Sequence, residues 1–147
     1  MKRFIYLFSI LLAVAATVVD CCPCRFTRKN AKPLTGTRWH LVQLNGRDVQ
    51  FPAGTFDITF GEDGRIAGRG ACNGFNAAYS TTENEGINIG TIASTRMYCP
   101  DSDTEQLLYN ELDGATHYEI DGSMLLLLNN GEIRAIFSAD ETSDNKK

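Results

Sequence analysis

The sequence predicts a mainly β, α+β fold of short antiparallel strands with one main helix. Three observations carry this expectation. The alternation Phe56-Asp57-Ile58-Thr59-Phe60 sends its apolar side chains to one side of a strand. Asn45-Gly46, Asp121-Gly122 and Asn130-Gly131 are two-residue hairpin signals, because such residues tolerate positive φ. One stretch near 103–113 has helical spacing and helical end signals.

The N-terminus is read apart from the fold. Met1-Lys2-Arg3 is basic, and residues 4–19 are apolar except for Ser9 and Thr17, the pattern of a secretory signal over 1–20. A spanning helix needs roughly 20 apolar residues, so an uncleaved anchor is the weaker reading. Asp20-Cys21-Cys22-Pro23-Cys24 follows, and a cysteine closing an apolar run resembles a bacterial lipobox. Cys21, or Cys22 one place along, would be the lipidated residue, although Asp20 stands where that motif wants a small neutral one. The competing reading is ordinary cleavage after Ala15. Either route exports the chain, so a cell-envelope location facing the periplasm or cell surface is expected, with the membrane reached through the lipid anchor. Cys21 and Cys24 also have the C-x-x-C spacing of a redox pair, but no strand precedes them and a basic, proline-containing stretch follows, which favours a processing junction. Residues 21–33 are therefore read as lipidation region and linker.

The domain proper is expected over 34–139. Residues 37–44 are rich in β-formers and lead through Asn45-Gly46 into a short return strand over 48–51, ended by Pro52. The alternating strand 56–60 turns at Gly61-Glu62-Asp63-Gly64, and 65–70 returns with Ile66 inward. Glycines at 68 and 70 mark a bulge or a close backbone approach. A polar loop is expected over 80–86, and then Ile87, Ile89 and Ile92 mark a strand that shifts phase near Gly90-Thr91. Ser102 followed by Glu105 reads as a capping box, with Leu108 and Leu112 on the buried helix face and Gly114 as the stop. The last third is a meander in which Asn130-Gly131 turns into a strand carrying Ile133, Ala135 and Phe137, while four successive leucines leave the inward pair of 125–128 undecided. Residues 140–147 are read as a disordered tail.

Composition narrows the function classes. With 147 residues and 43% hydrophobic content, one ordinary domain can build a core. A formal net charge of -4 and the lack of a basic, aromatic-interleaved face exclude a nucleic-acid role.

The densest stretch is 70–79, with Ala71-Cys72-Asn73, Phe75 and Tyr79, and it is answered by Thr95-Arg96-Met97-Tyr98-Cys99. Together with Trp39-His40-Leu41 and the closing leucine meander, these motifs resemble the META domain, the HslJ-like family, over about 34–138. The resemblance implies a compact antiparallel β-barrel-like domain with one main helix packed against the sheet. It further implies an envelope lipoprotein linked to stress tolerance, namely heat shock and antibiotic resistance, with no catalytic mechanism to transfer. Ala77 departs from the family, which often has glycine there.

Cys72 and Cys99 form an even pair in an oxidising compartment, so a disulfide is expected, against the alternative of two buried thiols. Asn73 and Arg96 adjoin them. They are either a patch for a partner or ligand, or a turn asparagine and an arginine paired at the helix start. His40 and His117 lack ligand spacing, so no metal or other cofactor is expected. No nucleophile elbow, P-loop or paired carboxylate gives a catalytic residue. The sequence thus reads as a non-enzymatic, monomeric binding or stress-tolerance protein with an unknown protein or small-ligand partner. A thiol-redox module and a small-ligand carrier are the other classes.

Overall fold

The computed structural model describes residues 31–140. The signal segment, Cys21 and Cys22, most of the linker and the tail beyond Asp140 lie outside them. Within them the chain is tied in from Lys32, whose amide donates to the Gly122 carbonyl, to Asp140, whose amide donates to the Arg38 carbonyl.

In β1 (Arg38–Leu44) Trp39 and Leu41 point inward, and a bulge between Leu41 and Gln43 then resets the phase so that Leu44 is buried. Asn45 and Gly46 both hold positive φ and return the chain into β2 (Arg47–Asp48). This strand is shorter than the expected 48–51, and Phe51 instead stacks on Phe56 with ring centroids 3.8 Å apart. Phe56, Ile58 and Phe60 are buried as the alternation predicts, the last two within β3 (Asp57–Phe60).

Next come β4 (Arg65–Arg69) and β5 (Gly74–Thr81), which pair antiparallel. The latter takes up two residues of the expected polar loop, and Ala77 lies buried in its middle rather than in a turn. The phase shift near Gly90 is a real break. β6 (Ile87–Ile89) pairs with one end of β5, and β7 (Ala93–Ser94) pairs with the other. Helix α1 (Ser102–Asp113) follows, with Leu108, Tyr109 and Leu112 buried.

The meander consists of β8 (His117–Asp121), β9 (Met124–Asn129) and β10 (Glu132–Ala139). Leu125 and Leu127 are the inward leucines. Ile133 does not join Ala135 and Phe137 in the core. A register shift between Ile133 and Ala135 turns it outward, to 45% exposed.

The sheet runs β6-β5-β4-β3-β1-β10-β9-β8. It curls without closing into a barrel. Its end strands meet at a bridge between Gly86 and His117, where the Ile87 amide reaches the Thr116 carbonyl and the Tyr118 amide reaches that of Glu85. Trp39, Phe60, Leu125 and Phe137 fill the interior, and α1 packs against β6 and β10. The expected α+β architecture is thus present, as a curled sheet with one helix.

Candidate functional site

The β4–β5 turn and the segment after β7 meet as two halves of one site. Cys72 and Cys99 are disulfide-bonded, with Cα atoms 6.4 Å apart, as expected from the pair of cysteines. Beside the bond, Asn73 is 3% exposed and uses every polar atom of its side chain. Its Oδ1 accepts from Thr95 Oγ1 at 2.7 Å and from the Met97 amide at 2.8 Å. Its Nδ2 donates to the Met97 carbonyl at 3.0 Å and to Glu105 Oε1 at 2.6 Å.

Glu105 completes the arrangement from below. It projects from the first turn of α1, is 4% exposed, and its Oε2 accepts the Asn73 amide at 3.1 Å and the Cys72 amide at 3.3 Å. The expected capping box is therefore absent. Asp101 is the N-cap and makes no side-chain cap hydrogen bond. The physical reason is competition. The helix start is exposed and can be hydrated, whereas the amides of the 72–73 turn would be buried without a partner.

This close approach also explains Gly70. A Cβ there would collide with the Glu105 carboxylate, just as one at Gly68 would collide with the Phe75 ring. Both glycines are where the chain has to bend past a neighbour.

The same bonds separate the two residues that the sequence grouped as a patch. Asn73 is a buried hub. Arg96 is exposed and makes no ion pair or hydrogen bond with any described residue, so the expected pairing with a carboxylate at the helix start is not formed. Next to it Met97 is 58% and Tyr98 93% exposed. A cleft of about 600 Å³ lies between this ridge and α1, lined among others by Ile92, Met97, Tyr98, Gln106 and Tyr109.

The Tyr109 hydroxyl is buried near Glu105 and Ser94 without a well-formed hydrogen bond to either. Burial, and behind it the negative charge of Glu105, hold this phenol well above its ordinary pKa. Of the two histidines, His40 pairs with Asp57 at 2.6 Å, and exposed His117 contacts the hydroxyl of its neighbour Thr116.

A domain model settles the kinship of this arrangement: the META domain matches residues 32–141. The chain belongs to the META domain family. No curated protein matches this META protein. Solved structures do. A protein from Burkholderia xenovorans determined by NMR has 22% identity and a TM-score of 0.56, covering 74% of this chain and 84% of that one. A DUF4847 family protein from Bacteroides vulgatus has 20% identity and a TM-score of 0.54, covering 71% and 93%. Another NMR structure has 21% identity and a TM-score of 0.58, covering 71% and 90%. At such identities the likeness is one of fold.

Glu105 was not visible as a site residue in the sequence, and Met97 and Tyr98 stood in the second dense motif without a role of their own. A signal for Glu105 was present all the same. Positions 105, 108, 109 and 112 share one helix face, so the carboxylate stands in the apolar stripe.

Proposed function

We propose that this META protein is a non-enzymatic binding module of the cell envelope, exported by its N-terminal signal, anchored through a lipidated cysteine and serving stress tolerance. The observation that carries the reading is the ridge Arg96-Met97-Tyr98. Large side chains are costly to expose and loops tend to move, yet this segment is held rigidly from beneath by Asn73, Glu105 and the Cys72–Cys99 bond. Arginine, methionine and tyrosine are the residue types enriched where proteins dock. A rigid ridge also loses little entropy on binding.

The complement of such a ridge is a protein surface with an apolar socket for Tyr98 and a carboxylate for the unpaired Arg96 guanidinium. The filled interior favours an external docking surface over an internal carrier cavity.

The test is site-specific photocrosslinking in the native envelope, with the photoreactive residue at position 98 and, as control, at exposed Glu119. A single adduct from position 98, missing at 119 and lost with Arg96→Ala, is the expected result. Equal adducts from both positions, or none from either, would sink the proposal.

A further inference from the structure

Alternation along β1, β3 and β4 turns Arg38, His40, Asp57 and Arg69 to the outer face of the sheet, away from Trp39, Ile58 and Ile66. Register then sets His40 beside Asp57, and Asp57 beside Arg69. An outward aspartate at a strand start is ordinarily wet. Asp57 is only 9% exposed, with His40 against its carboxylate and Ala53 and Gly54 lining the same hollow.

His40 Nδ1 lies 2.6 Å from Asp57 Oδ1 and engages the carboxylate. Arg38 and Arg69 are exposed, and neither guanidinium makes an ion pair or hydrogen bond with any described residue. Asp57 and Asp140 are the acidic groups among the residues lining these hollows, and neither is without a partner.

Two hollows meet at Gly54 and Asp57. One, of about 400 Å³, is walled by Arg38, Thr59, Ala67 and Arg69. The other, of about 330 Å³, is walled by His40, Val42, Phe51 and Ala139. The first is cationic and the second mostly apolar. Immediately before Asp57, Phe56 holds φ 52°, a region bulky residues rarely adopt. Such strain collects at ligand-binding places, where the surroundings hold it.

We propose that this outer groove is a second binding site, for a small amphipathic organic anion. The carboxylate or phosphate head sits between the Arg38 and Arg69 forks, whose paired donors match its oxygens, and the apolar body lies against Phe51 and Val42. An inorganic anion would fill the cationic half alone. A neutral apolar molecule would leave both guanidiniums unused. The groove shares no lining residue with the cleft beside α1.

The test titrates octanoate, acetate and inorganic phosphate into the purified full-length protein, read by calorimetry and by the side-chain NMR signals of Arg38, Arg69 and Phe51. Octanoate is expected to saturate and to bind about tenfold or more tightly than acetate or phosphate, since its chain adds buried apolar area. The double variant Arg38→Gln, Arg69→Gln should weaken octanoate by about tenfold or more through loss of both forks, with melting unchanged because both side chains are exposed. Ala67→Leu, which narrows the cationic hollow without removing charge, should weaken it too. Phosphate binding as tightly as octanoate would remove the apolar half of the proposal. Octanoate that fails to bind, or that binds the double variant equally well, would overturn the site.

Discussion

The Asn73 side-chain amide donates to the buried Glu105 carboxylate at 2.6 Å, joining the β4–β5 turn to the first turn of α1 across 32 residues of sequence. Three further bonds from Asn73 hold the 95–97 segment in place. This hub, more than the helix cap, orients α1 against the sheet.

Removing the carboxylate therefore strands several buried donors. Glu105→Ala leaves the Asn73 and Cys72 amides and Asn73 Nδ2 without that acceptor, and is expected to cost about 3 kcal/mol at a penalty of ~1–3 kcal/mol for each unsatisfied group. Asn73→Ala should cost a similar amount. Because the two share bonds, a double-mutant cycle in urea should give a coupling of about 1–3 kcal/mol. Additive losses would mean the hub is two independent contacts.

Much of the fold was legible in the sequence because it is local. Asn45-Gly46 and Asn130-Gly131 turn where positive φ is needed, and the 56–60 alternation buries what it should. The two bulges, in β1 and before Ala135, were not legible, since one extra residue in a strand leaves no compositional mark yet sends Ile133 outward. The site divided the same way. Cysteine pairing was expected from residue type and from the exported location that the N-terminal sequence suggests, and the bond is present. Glu105 was misread because a local rule, the capping box, fits the same residue that a partner far away in sequence claims in space.

The Cys72–Cys99 bond closes a segment with a sequence separation of 27. Loop entropy alone assigns it about 3.5 kcal/mol. Cys72→Ser with Cys99→Ser should lower the unfolding free energy by about that much or less, the shortfall reflecting structure kept by the unfolded chain. Thiol labelling of the folded, non-reduced protein should leave both cysteines blocked. Ready modification of both without denaturant would show that no bridge forms.

Two glycines of one motif should behave differently. At Gly70 an added Cβ meets the Glu105 carboxylate, whereas at Gly74 it meets nothing within 4 Å. Gly70→Ala is expected to destabilise by about 2 kcal/mol, since the buried carboxylate must shift from its donors. Gly74→Ala should stay within about 0.5 kcal/mol of the parent protein. Thermal melting of the two variants side by side checks this, and equal melting points would count against the close approach.

Tyr109 is expected to make the fold less stable at alkaline pH. Burial, and next the Glu105 charge, raise its pKa in the folded state, so the unfolded chain releases the phenolic proton first. The neutral phenol's contribution is then complete below the ordinary tyrosine pKa of about 10 and falls as pH climbs above it. Tyr79, raised by burial and then by Asp63, adds to the same fall. Tyr109→Phe removes one of the two contributions, and the hydroxyl it deletes has no well-formed partner. Urea midpoints measured at about pH 8 and about pH 11 should therefore separate less in the variant than in the parent, with stability near neutrality changed by less than about 1 kcal/mol. An undiminished separation would place the alkaline sensitivity elsewhere, and a large loss at neutrality would mean that the hydroxyl bonds Glu105 or Ser94 in solution.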